Sequence, residues 1–323
     1  NNNNIDVDTE GLVESYAIYS DKLSNLVISD NAINFFGNTN GTVVNNAIRV
    51  NGDDDDSNPA AAKNITVKDN KIAIIVPSVD VVYDPLTYEA SVYSEGIVFY
   101  YCDGVEFTNN DVYLKYDNAS GSYDTIYVVS VKGDAYTYDF DADYNLVYPV
   151  ISSNVVISNN NITGEGHKYI YGVYVNTADN VTIKDNNINM SADDYYAAGI
   201  NLDGPAFNGV VENNEITVTA PGAVYGVYTG GWLGAVENIT YENNTITADA
   251  YAACAMEVKE ANPYISNNKI TAKGNYTYGI VASISDNATI ASNEITCVGS
   301  EVGNQSSGDS LLPKNSLAIS VKG

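Results

Sequence analysis

The sequence predicts an all-β chain wound as a solenoid, with three short strands in each coil. Three observations predict it: a recurring pattern of asparagine and β-branched residues, period-2 alternation inside each copy, and no sustained helical periodicity anywhere in the 323 residues. "NVTIKDNNI" (180–188) shows the pattern. Aligned on Asn186, it recurs at Asn31, Asn46, Asn70, Asn110, Asn160, Asn214, Asn244, Asn268 and Asn293. An apolar residue stands three places before each anchor and Ile or Val two places after it. Six places before it, asparagine fills the column except at Gly104.

Each coil opens on a small residue followed by an apolar one, as in Gly96-Ile97, Gly172-Val173, Gly199-Ile200, Gly226-Val227 and Gly279-Ile280. A short turn leads to the second strand, where alternation points Val181 and Ile183 inward and Thr182 and Lys184 outward. The asparagine turn follows, then a third strand such as "INM", then a loop of variable length. Successive anchors lie 15, 24, 40, 50, 26, 28, 30, 24 and 25 residues apart. Such spans without hairpin signals call for parallel pairing between coils, and about 10–13 coils at ~4.8 Å make a rod about 50–60 Å long. The asparagines read as architecture. A sharp buried bend needs a residue that tolerates the left-handed conformation, and an amide both donates and accepts, so stacked copies can bond to one another. An aspartate column would pile up charge instead.

The signature G-I/V…N-V-T-I-x-N/D-N-x-I resembles the repeat of pectate-lyase-like proteins over residues 15–323. The resemblance implies a right-handed parallel β-helix as a single domain. Residues 1–15 form a cap or linker in this reading. Insertions at about 51–63, 76–95 and 115–149 leave the return loops as β-excursions, and residues 299–323 form a polar loop and a last strand. Within that superfamily the single arginine and the abundance of Asn, Asp and Tyr resemble the adhesin-like surface proteins of methanogenic archaea.

Charge narrows the partners. With 41 acidic against 14 basic residues and a formal net charge of −27, the chain lacks the cationic surface that nucleic acid or an anionic bilayer requires. No run of about 18 apolar residues is present, so this segment is not expected to enter a membrane. The start, "NNNNIDVDTEG", carries no signal peptide, as expected of a mature or excised segment of a longer surface protein. Cys102, Cys254 and Cys297 follow no metal spacing and read as small hydrophobes.

The family's chemistry is not complete in this chain. A lyase of this type would use an arginine base beside clustered acids, but Arg49 has no acidic neighbour in its strand. "GEGHK" around His167 departs from the Gly-His-Gly of polygalacturonase-like sites, and "YDPLTYE" has Leu86 where epimerase-like members carry histidine. No catalytic residue is nominated. Asp139, Asp141 and Asp143 alternate as hard oxygen ligands for calcium, the one cofactor the sequence admits, though without the central glycine and distal glutamate of an EF-hand. The 27 tyrosines are the more telling feature. Tyr169, Tyr171, Tyr174, Tyr195, Tyr196, Tyr225 and Tyr228, with Trp232, are candidates for a ligand platform, because sugar rings and protein partners both use rigid amphipathic aromatics. Of the eleven Asn-x-Ser/Thr sequons, Asn118, Asn275 and Asn304 sit in loops suited to glycosylation. The function expected is an extracellular or cell-surface adhesion module binding a glycan or a host or symbiont surface protein. The alternatives are a polysaccharide lyase, hydrolase or epimerase, and a structural envelope spacer.

Overall fold

Alternating inward and outward side chains produce a rod of three parallel sheets in this computed structural model. It describes residues 2–9, 14–37, 44–53, 60–76, 93–116, 125–134, 139–140, 146–147, 150–230, 235–260, 262–284, 287–299 and 316–322. The first sheet stacks Glu14–Asp21, Val44–Asn51, Tyr93–Tyr100, Thr125–Lys132, the start of Tyr169–Lys184, Tyr196–Phe207, the end of Glu215–Gly230, the end of Thr245–Glu260, Tyr276–Ile284 and Leu317–Lys322. The second runs from Val27–Ser29 through the end of Tyr169–Lys184 to Thr289–Ala291. The third runs from Asn4–Asp8 to Glu294–Gly299. Every pairing in these sheets is parallel, coil upon coil, with register shifts only at Asn176/Ala178 and Ala220/Ala223 among the described residues. Inward columns such as Ile72, Val112, Ile162, Ile188, Ile216, Ile246 and Ile270 close the core. Each such side chain, fully buried, contributes roughly 1.5–3 kcal/mol.

The second and third sheets meet at a buried asparagine ladder. Each rung's backbone N–H and Nδ2 donate to the Oδ1 of the next rung at 2.9–3.3 Å, from Asn3 through Asn31, Asn70, Asn110, Asn160, Asn186, Asn214, Asn244 and Asn268 to Asn293. The second amide hydrogen reaches a carbonyl of the preceding coil, as Asn186 Nδ2 reaches Ile157 O at 2.9 Å. Bends that would orphan backbone groups are thereby satisfied at every coil. Asn46 is a correction: it lies in the first sheet, where Nδ2 donates to the carbonyls of Asn45 and Glu95. Its local pattern is that of a rung, but Asn31 bonds directly to Asn70, and the first rung is Asn3.

The left-handed conformation belongs to the neighbours of the rungs. The residue before each rung has φ of 55–59° from Asp30 to Ser292, and so does the column six places before, from Asn25 to Asn262, with φ of 53–60° except Asn208 at 52°. Gly104, the exception in that column, takes φ 77°. Glycine there meets the same backbone demand that asparagine meets elsewhere. A second glycine column meets a different demand. A Cβ on Gly226 would stand 2.2 Å from Ile246 Cγ2 and 2.5 Å from Ala255 O, so the first sheet can approach the isoleucines of the third.

Two expected segments gain detail. Within residues 1–15, Asn4–Asp8 is a strand paired with Ala32–Phe36. The 115–149 stretch is only partly an excursion: Thr125–Lys132 pairs on both sides within the first sheet, while Asp139–Phe140 and Leu146–Val147 pair antiparallel outside it. Residues 54–59, 77–92, 117–124 and 300–315, where the other insertions and the polar loop fall, lie outside the described residues.

Candidate functional site

The outward face of the first sheet differs from the other two. Its first column runs Tyr127, Tyr171, Ala198, Tyr225, Cys254, Tyr278 and Leu317. From Tyr171 to Tyr278 large and small residues alternate, so each ring has room to lean across a smaller neighbour. A second column runs Ser130, Tyr174, Asn201, Tyr228, Glu257 and Val281. Tyr196 stands in a third column and fills the space above Ala198, its ring 5.4 Å from Tyr171 and 5.7 Å from Tyr225.

The result is a continuous strip of rings. Tyr127 lies 4.9 Å from Tyr171 and 4.3 Å from Tyr174, and Tyr225 lies 5.2 Å from Tyr228. Tyr169 joins at the side, 5.8 Å from Tyr196 and 5.4 Å from Tyr195. Offset and edge contacts of this kind add about 0.5–1.5 kcal/mol per pair. A lysine closes each end. Lys132 Nζ sits 5.0 Å over Tyr127 and 5.4 Å over Tyr174 and pairs with Glu95. Lys259 Nζ sits 5.0 Å over Tyr228 and pairs with Glu257 at 2.7 Å. Between them Asn176 Nδ2 donates to the Tyr174 hydroxyl at 3.1 Å, which in turn donates to Asp203 at 3.4 Å. Asn201 is buried with Oδ1 unpartnered.

Burial sets the protonation states. It pushes the phenols of Tyr171, Tyr174, Tyr196 and Tyr225 above their ordinary value, so they remain neutral donors at physiological pH. It pulls Lys132 down, against the opposing charge of Glu95. At Lys259 burial also pulls down, but the hydrogen bond and charge of Glu257, with Tyr228, outweigh it and hold the ammonium above its usual range.

Of the residues expected from sequence, Tyr169, Tyr171, Tyr195, Tyr196 and Tyr228 are half-buried along the strip, whereas Tyr174 and Tyr225 are only 8% and 6% exposed. Those two are the packing beneath the strip. Trp232, Asp141 and Asp143 lie outside the described residues, as does the side chain of Asp139. Among the described residues no cluster of three His, Cys, Asp or Glu side chains forms a metal centre. His167 Nδ1 meets the exposed Asp193 at 2.5 Å. Cys102, Cys254 and Cys297 are free thiols, and burial pushes Cys102 up to about 12. Asn118 and Asn304 are outside the described residues, and at Asn275 the sequon's Thr277 is buried.

Sequence reasoning missed Tyr127, Lys132, Glu95, Glu257, Lys259 and Asp203. Tyr127 carried no usable signal, for Val128 follows it where glycine follows Tyr171 and Tyr225. Glu260 was missed as well. It ends the strand pointing inward, where Tyr241 donates to it at 2.9 Å, and burial raises its carboxyl to about 8.

The three sheets, the inward columns and the ladder define a parallel β-helix. The chain belongs to the right-handed β-helix family: residues 89–295 match the model described as "Right handed beta helix region". No curated protein matches the chain in sequence. Among solved structures it is similar to PfbA, a surface adhesin of Streptococcus pneumoniae, at 12% identity and a TM-score of 0.34 over 90% of this chain and 85% of that one. It is also similar to the A-module of the Azotobacter vinelandii mannuronan C-5 epimerase AlgE4, at 14% identity and a TM-score of 0.22 over 81% of this chain and 91% of that one.

Proposed function

We propose that this chain is an extracellular, cell-surface adhesion module whose rod displays the tyrosine strip to a glycan or a surface-protein partner. The observation that carries this reading is the continuous row of buried and half-buried rings, flanked by Lys132–Glu95 and Lys259–Glu257, on one sheet alone among the described residues. A sugar ring presents C–H groups to an aromatic face and hydroxyls to charged or amide groups beside it, and the strip offers both. Neutral phenols suit binding better than proton abstraction. Composition alone supports an archaeal surface origin, and Asp139, Asp141 and Asp143 stand as the proposed calcium ligands.

A glycan array with the purified chain tests the reading. Tyr196→Ala and Tyr228→Ala are expected to lose binding at least about tenfold, as removal of one aromatic anchor does. Thr271→Ala, on the third sheet, is expected to leave it unchanged. Binding that all three variants retain overturns the reading. A polysaccharide lyase remains the second reading, favoured by the Tyr174–Asp203–Lys132 grouping. Unsaturated product formed from uronic-acid polymers with calcium would replace the first reading with it.

A further inference from the structure

The strip already holds cations of its own. Lys132 Nζ lies 5.0 Å over the Tyr127 ring and 5.4 Å over that of Tyr174, and Lys259 Nζ lies 5.0 Å over that of Tyr228. An ammonium over a phenol face is attracted by the ring quadrupole, and the attraction grows as water is removed. Between the two lysines the pattern breaks. Tyr171 and Tyr196 adjoin with centroids 5.4 Å apart, yet no described lysine or arginine stands over either ring. Both are half-buried, so part of each ring faces solvent.

The polar groups beside these rings are acceptors. Asn201, 6% exposed, stands between Tyr174 and Tyr228 in its column, and its Oδ1 has no hydrogen-bond partner. A buried acceptor without a donor is costly, so a partner that brings it an N–H group gains. Asp203 accepts from the Tyr174 hydroxyl at 3.4 Å, and Glu257 pairs with Lys259 at 2.7 Å beside Tyr228. Burial chiefly raises the phenols of Tyr171 and Tyr225, and the charge of Asp203 adds to it at the first and that of Glu257 at the second. The ring faces therefore stay neutral, with two carboxylates close enough to be felt there. The whole chain carries a formal charge of −27.

A cation that only donates meets all of these features. The lysine ammonium and the arginine guanidinium are such groups, with N–H donors and no acceptor. A sugar hydroxyl would serve the acceptors but bring no charge. We propose that the partner of the strip is a protein segment rich in lysine or arginine, whose cations lie over Tyr171 and Tyr196 as Lys132 and Lys259 lie over the rings at the ends. The proposal rests on the strip being the adhesive face, and it selects a surface protein over a glycan as the partner.

Isothermal titration calorimetry at about 0.15 M salt tests it, with hexalysine, hexaarginine and the uncharged cellohexaose as probes. The two peptides are expected to bind more tightly than cellohexaose. Asp203→Asn and Tyr196→Leu are each expected to weaken the peptides about tenfold. Should Tyr196→Leu lose its strand circular dichroism, Tyr171→Leu gives the same readout. Asp249→Asn removes the same charge from an exposed position on the third sheet and is expected to leave binding nearly unchanged. Equal weakening by Asp203→Asn and Asp249→Asn, or none by the ring variant, would mean diffuse attraction to an acidic rod and overturns the proposal. Binding of cellohexaose alone overturns it too, while the strip would still stand as the adhesive face. No binding by any of these probes, nor by any glycan on the array, removes both.

Discussion

Two columns of side chains stack along this rod and are built on opposite rules. The asparagine ladder repeats one residue in one geometry, buried at nearly every coil. The tyrosine strip varies: Tyr127 and Tyr171 adjoin, then rings alternate with Ala198, Asn201 and Cys254, and lysines and carboxylates close its ends. A uniform column satisfies the backbone, whose demand is the same at every coil. A varied column answers something outside the fold, since packing alone would accept the threonines and lysines found on the other sheets. The contrast teaches that regularity marks scaffold in a solenoid, and that departures from it mark where a partner is met.

The ladder is neutral and should be silent to pH, whereas the first sheet carries buried carboxyls. Glu260 gives the largest expected effect. Burial lifts its folded value from about 4.5 to about 8, so the folded protein keeps a proton that the unfolded chain releases. The stability this contributes is intact below about pH 4.5 and is lost as pH rises through about 8, on the order of 5 kcal/mol in all. Thermal melts from pH 4.5 to 9 check it, and Glu260→Gln is expected to flatten the profile. An unchanged slope in that variant would place the titration elsewhere.

Breaking the ladder comes next. Asn186→Ala removes the acceptor shared by Asn160 N and Nδ2, both at 3.0 Å, and leaves two buried donors unpaired. Urea denaturation is expected to show a loss of about 2–4 kcal/mol. On the strip, Tyr225→Phe keeps the ring contacts and is expected to cost less than about 1 kcal/mol, while Tyr225→Ala costs about 3. If the alanine variant unfolded no more easily than the phenylalanine one, the rings would not be packing on one another. The smallest effect belongs to Gly104→Asn. Its φ of 77° suits asparagine, and the nearest atom to a new Cβ is 3.6 Å away, so stability should change by less than about 0.5 kcal/mol. A larger loss would show that the outer column is not governed by backbone conformation.

How much was legible follows from the same contrast. Nine of the ten rungs could be read directly because a stacked column imposes the same residue on distant segments. Asn46 was misread and Asn3 overlooked because a local motif does not say which segment lies above it. The alternation that turned Tyr174 and Tyr228 outward was also legible. That Tyr174 and Tyr225 are nonetheless buried was not, since their cover comes from rings on other coils.

By itself, then, the sequence determined the coil: inward isoleucines, corner asparagines and small residues at the tight approach are demands made within each repeat and written there. Only the tertiary structure decided the strip. Glu95 meets Lys132, Tyr127 meets Tyr174 and Tyr196 bridges Tyr171 and Tyr225 because parallel stacking sets their coils side by side. Contacts between coils depend on loop lengths that vary from coil to coil, and no local pattern encodes them.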